Sequence, residues 1–192
     1  MQSTQHFLLL LILVFAVNAE ADDVDSLLDG LFVRLDAMLN YQEIRMVPKL
    51  AEPIIIYGGI QVAADGRLIK TVEKPFEERL EVANGSVVLE RAGHVKRVPV
   101  SASAAIEGGY KIIHAVLVGD SEALRRMCEL SIDADRDDWN LQCIPKLSET
   151  RRYIEKLSVS GVQNKIISLR VDQGLDRWSE FYFDKVEESV AH

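Results

Sequence analysis

Groups able to do covalent or acid–base chemistry are sparse and scattered in this sequence. Of the four histidines, His6 lies near the start, His94 in a turn, His114 within a helical stretch and His192 at the end. None has the short ligand spacing that metal binding requires, and no nucleophile elbow or phosphate-binding glycine loop is present. Ser101 and Ser103 stand far from any base. The carboxylates Glu73, Glu77, Glu78 and Glu81 interleave with Lys70, Lys74 and Arg79, the pattern of a solvated strand face with cross-strand pairs. His114 reads as a polar-side or hydrogen-bonded residue and not as a ligand. No enzyme, metal or cofactor is expected.

The two cysteines offer the remaining covalent chemistry. Cys128, Leu130 and Ile132 alternate on one side of a loop, Asp133 to Asp138, and Trp139, Leu141 and Cys143 alternate on the other. Pairing Ile132 with Trp139 sets Leu130 opposite Leu141 and Cys128 opposite Cys143, where Cβ atoms about 4.5–5.5 Å apart are a little wide for a disulfide but within reach at a non-hydrogen-bonded pair. A pair of buried free thiols fits the same positions, so both readings stand.

What must position these groups is a chain of strands around the stretch Glu52 to Lys74. Ile54, Ile56, Ile60 and Val62 share one face of a strand by the period-2 rule, Ile55 and Tyr57 the other, and Ala64-Asp65-Gly66 supplies a turn. Leu68, Lys70 and Val72 then alternate with Ile69, Thr71 and Glu73. Further strands are expected over Tyr41–Val47, Phe76–Val82, Ser86–Arg91, Val95–Val100, Ile154–Ser160, Lys165–Asp172 and Trp178–Phe183, in addition to the cysteine hairpin. Turns at Asn84-Gly85 and Ala92-Gly93 separate some of them.

Helical spacing interrupts this succession. Val24, Leu27, Leu28, Leu31, Leu35 and Met38 predict an amphipathic helix from Asp22 to near Asn40. Ile106, Tyr110, Ile113 and Leu117, widened by Ile112 and Val116, predict a second over Ser103–Val118, with Gly108-Gly109 weakening its first half. Asp120 is placed to cap a short helix over Ser121–Met127, and Ser148–Tyr153 reads as a helical turn. About eleven strands exceed what a flat sheet carries without curling. The fold class expected is α+β, mainly antiparallel β, as an unclosed half β-barrel with a helical lid.

The chain of 192 residues carries a net charge of −8 with 48% hydrophobic residues, an ordinary composition for one domain. The acidic balance argues against nucleic acid as a partner. Phe7 to Val17 is an unbroken apolar run, too short for a membrane span, followed by small residues that allow cleavage after Ala19 or Ala21. The expected organisation is a signal peptide over 1–21, one domain over 22–185 and a frayed tail over 186–192, with a soluble monomer exported to the periplasm.

The order of these segments resembles a known family. The strand around Tyr41-Gln42-Glu43, the strand Gly59 to Val62, the turn Asp65-Gly66-Arg67-Leu68, Lys74-Pro75 and Asn84-Gly85 with Val87-Val88-Leu89-Glu90 are similar to the LolA-like periplasmic outer-membrane lipoprotein carriers. Leu117-Val118-Gly119-Asp120 to Leu124, and Trp139-Asn140-Leu141 with Pro145, fit a divergent branch of that family. The resemblance implies a hydrophobic cavity that takes lipoprotein acyl chains from an inner-membrane donor complex and passes them to an outer-membrane acceptor. The family's lid-latching Arg is not matched at Ala63-Ala64-Asp65-Gly66, and Ile69 and Lys70 replace an aromatic residue, so a different acyl lipid is also a fitting cargo.

The residues expected to contact such a lipid are Ile54, Ile56, Ile60, Val62, Leu80, Leu89, Ile113 and Leu117. Periodicity alone assigns the same residues to a plain core. A non-catalytic module that docks on a lipid or polyene exporter without carrying cargo is the alternative reading.

Overall fold

The computed structural model describes Leu27, residues 38–102 and residues 104–183. Eleven strands form a single antiparallel sheet: β1 (Leu39–Met46), β2 (Ile54–Val62), β3 (Leu68–Lys74), β4 (Glu78–Ala83), β5 (Ser86–Arg91), β6 (His94–Pro99), β7 (Cys128–Asp135), β8 (Asp138–Pro145), β9 (Lys156–Val162), β10 (Lys165–Asp172) and β11 (Trp178–Phe183). Their order is β6-β5-β4-β3-β2-β1-β11-β10-β9-β8-β7, and among the described residues β6 and β7 are edge strands that do not pair with each other, so the sheet does not close. The six-strand meander expected up to residue 100 is present. The central strand is β1, joined to the last strand, β11, by Tyr41 opposite Phe183 and Glu43 opposite Phe181.

The predicted first helix overruns its end, because Leu39 and Asn40 are already strand, opposite Ile60 and Gly59. Leu27 is helical; the rest of that helix, the expected signal peptide and the tail lie outside the described residues.

Directly opposed residues share a face, so the registers trace one continuous inner surface. From β5 to β1 it runs through Val87, Val82, Leu68, Val62 and Leu39 by way of Ile60. From β11 to β7 it runs through Phe181, Leu169, Val159, Leu141 and Ile132. Every one of these side chains is apolar, and an apolar face of this kind calls for a cover that removes it from water.

The cover comes from the segment that links the two sheet edges. After a 3-10 turn at Val100–Ala102 follow α1 (Ala104–Val118) and α2 (Ser121–Met127); a third short helix, α3 (Ser148–Arg151), follows β8. The Asp120 carboxylate accepts from the Ala123 amide at 2.8 Å and caps α2, as its position predicts. Gly108-Gly109 does not break α1, which is continuous through the pair. These glycines let α1 approach α3 and the residues after it. A Cβ on Gly108 would stand 2.6 Å from the Thr150 side chain, and one on Gly109 would stand 2.9 Å from the Ile154 methyl.

Thr150 is buried and β-branched, so it has no soft rotamer into which to retreat. Gly108→Val is therefore expected to cost about 1–3 kcal/mol through overpacking, read as a lowered urea midpoint. An unchanged midpoint would mean that α1 lifts away from α3 without loss.

A disulfide joins Cys128 and Cys143, with Cα atoms 5.3 Å apart. The hairpin register differs by two residues from the expected one: Cys128 faces Pro145, Leu130 faces Cys143 and Ile132 faces Leu141. The reason lies in the turn. Arg136 adopts a left-handed conformation (φ 57°), which tightens the connection, so the strands run on to Asp135 and Asp138, and the bridge spans a diagonal pair on one face.

Candidate functional site

The inner surface is filled at one end and hollow at the other. Over β8 and β9, Leu141, Cys143, Leu157 and Val159 are completely buried, together with Leu124 of α2 and Val116 of α1. Over β1–β5, β10 and β11 a cavity of about 450 Å³ remains, within the roughly 300–1,000 Å³ of small-ligand pockets. Its roof is Gly109, Tyr110, Ile113 and Leu117 of α1, with Ile154 beside them, and its apolar floor includes Ile60, Leu68, Leu80, Val82 and Val87. Leu169, Val171, Phe181 and Phe183 close the side toward β10 and β11.

Four of the residues expected to contact a lipid, Ile60, Leu80, Ile113 and Leu117, come together on this wall. The other four do not line it. Ile56 and Val62 are buried in the packed core, Ile54 packs against its rim, and Leu89 is a half-buried residue further along β5. Helix α1 passes over β2, so part of the apolar face of that strand is dry core.

Where β1 and β3 border the cavity, the wall turns polar, a feature that the periodicity reading missed. Glu43 is 0% exposed. Its two carboxylate oxygens meet different cations: Lys70 Nζ donates to Oε2 at 2.7 Å and Arg45 Nη2 donates to Oε1 at 2.7 Å. The Lys70 ammonium also lies 4.8 Å from the centre of the Phe181 ring and 5.2 Å from that of Tyr41, a cation–π cradle. Lys70 thus does not belong to the solvated face with Lys74 and Arg79. It shares strand parity with Leu68 and Val72, which points it inward.

On the outward face, where cross-strand pairs were expected, Glu81 pairs instead with Arg79 on its own strand at 2.9 Å and with Arg67, just before β3, at 3.2 Å. Burial disfavours charge on Glu43, but the Lys70 charge and hydrogen bond, joined by Arg45, outweigh it and hold the carboxyl below its usual range. The Tyr41 hydroxyl is pushed well above its ordinary value by burial and by the charge of Glu43. It donates to the Thr71 carbonyl at 3.0 Å, across a place where any side chain on Gly58 would collide with that carbonyl.

His114 ties the roof to the sheet. Its Nε2 lies 3.1 Å from the Gly66 carbonyl, in the turn between β2 and β3; a carbonyl only accepts, so this nitrogen carries the proton. Among the described residues no group of three or more His, Cys, Asp or Glu could hold a metal ion, and no helix is long and apolar enough to cross a membrane.

Sheet, hollow and helical roof together define a protein built around an internal apolar pocket with one charged flank. The chain belongs to the outer membrane lipoprotein carrier protein LolA-like family, whose model matches residues 16–174. No curated protein matches the sequence. Solved structures similar to this chain include Mycobacterium tuberculosis lipoprotein LppX, at 12% identity and a TM-score of 0.45, covering 90% of this chain and 96% of that one. A LolA superfamily protein from Nitrosomonas europaea has 9% identity and a TM-score of 0.44, covering 85% of this chain and 91% of that one. LprF from Mycobacterium bovis has 8% identity and a TM-score of 0.37, covering 85% and 92% respectively.

Proposed function

We propose that this protein is a periplasmic carrier that holds the acyl chain of a lipoprotein or of another lipid in the hollow beneath α1, between an inner-membrane donor and an outer-membrane acceptor. The observation that carries this reading is the 450 Å³ cavity with its mainly aliphatic and aromatic wall. Each methylene moved from water into such a hollow is worth about 0.8 kcal/mol, so binding strength rises with the length of chain enclosed. Most of the pocket wall supplies burial, as carriage requires.

The test is binding of a fluorescent fatty acid to the exported protein, with native mass spectrometry of the same preparation for copurified lipid. Leu80 is half-buried and faces the hollow, so Leu80→Trp fills the space from a tolerant position. It is expected to weaken fatty-acid binding at least about tenfold, roughly the loss of two buried methylenes. Unchanged binding in a folded Leu80→Trp protein would remove the cavity as the site. Absence of both uptake and copurified lipid in the unmodified protein would leave the docking module as the better account.

A further inference from the structure

We infer that the lipid carried has an anionic head, a carboxylate or a phosphate, which pairs with Arg45 and Arg177 at the polar flank of the cavity. This inference rests on the carrier reading above. The flank holds Glu43, Arg45, Lys70, Gln173, Arg177 and Ser179. It therefore sets three cations against one carboxylate in a chain whose net charge is −8.

The Glu43 carboxylate is committed to Lys70 and to one edge of Arg45, where Nε also donates to Oε1 at 2.8 Å. That leaves cationic capacity at the flank. The Arg45 side chain is 38% exposed against 1% for Glu43, so part of its guanidinium faces outward. Among the described residues no carboxylate pairs with the guanidinium of Arg177, an exposed residue in the hairpin between β10 and β11.

The two arginines are brought to one place by the sheet itself. Arg45 of β1 stands opposite Ser179 of β11, which follows Arg177 closely, and Gln173 N donates to the Arg177 carbonyl at 2.9 Å to close that hairpin. Arginine presents a planar fork of donors that matches carboxylate and phosphate oxygens. An amphiphile with its chain along Leu80, Val82 and Ile113 reaches this flank with its head, and Gln173 and Ser179 offer further hydrogen bonds there. A neutral head in the same place leaves the excess positive charge unmatched.

The experiment is displacement of a neutral fluorescent probe, N-phenyl-1-naphthylamine, from the full chain at low ionic strength. Palmitate, palmitoyl lysophosphatidate and the uncharged 1-hexadecanol and monopalmitoylglycerol are compared. Palmitate, lysophosphatidate or both are expected to displace the probe at concentrations about tenfold lower than the neutral lipids, since a hydrogen bond to a charged group is worth roughly that factor or more. Which of the two anions wins identifies carboxylate or phosphate as the source. Arg177→Gln and Arg45→Gln, each in a protein that still unfolds cooperatively, are expected to shrink this gap between anionic and neutral lipids. Equal displacement by anionic and neutral lipids, or a gap untouched by both substitutions, overturns the inference and leaves the carrier reading intact. Failure of the probe and every lipid to bind removes the carrier reading and this inference with it.

Discussion

Replacing Glu43 with alanine is expected to lower folding stability by about 3–5 kcal/mol, because it leaves the largely buried ammonium of Lys70 with no carboxylate partner. The two substitutions at this pair are not equivalent. Lys70→Met leaves Glu43 still paired with Arg45 at 2.7 Å, so it is expected to cost clearly less than Glu43→Ala. Replacing both residues with leucine removes charge and partner together and is expected to cost less than Glu43→Ala alone.

Urea unfolding of the four proteins gives the comparison; a loss below about 1 kcal/mol in Glu43→Ala would place the pair in the class of screened surface ion pairs. The same carboxylate sets a pH dependence. Its folded-state pKa lies below the ordinary 4.5, so its stabilisation is fully present above that ordinary value. It is lost as pH falls through the lower folded value. Below about pH 4.5 the unmodified protein should lose stability more steeply than Glu43→Gln, in melting curves taken across that range. Parallel slopes would mean that the native and unfolded chains hold this proton equally.

The second large effect concerns the bridge between Cys128 and Cys143, which are separated by 15 positions in sequence. Closing a loop of that length restricts the unfolded chain and is worth about 3 kcal/mol. The bridge also ties the end of α2 to β8, since Cys128 ends that helix and begins β7. Cys128→Ser combined with Cys143→Ser is therefore expected to lower stability by about 3 kcal/mol in denaturant unfolding. Protein denatured without reductant should show no titratable thiol, and two free thiols would remove the bridge from the account.

Most of the fold was legible in the strands because one inward face imposes strict alternation. Ile60 and Val62, Leu80 and Val82, and Leu169 and Val171 each announce their parity, and the short turns pair neighbours along the chain. The junction of β1 with β11 was not legible, because it links residues about as far apart as the domain allows and no turn chemistry encodes it. The cysteine hairpin slipped by two positions because both registers keep the same residues inside; the left-handed Arg136 decides between them, and arginine is not a residue that signals such a turn.

At the site, Ile113 and Leu117 were readable as helix-face residues and Leu80 as an inward strand residue. Ile56 and Val62 carry the same signal, yet they lie in the packed core, since period and polarity do not tell a covered surface from a hollow one. Glu43 was hidden by its type: a charged residue in a strand ordinarily faces water. The clue lay in its strand parity with Tyr41, which carries weight only once β1 is known to be flanked on both sides.

The edge strands β6 and β7 have a mechanical consequence. In a closed barrel, strand number and shear fix the bore, and widening it breaks backbone hydrogen bonds. Here β6 and β7 are not hydrogen-bonded to each other, so a small change of twist spread over eleven strands can move the two rims without breaking an interstrand ladder.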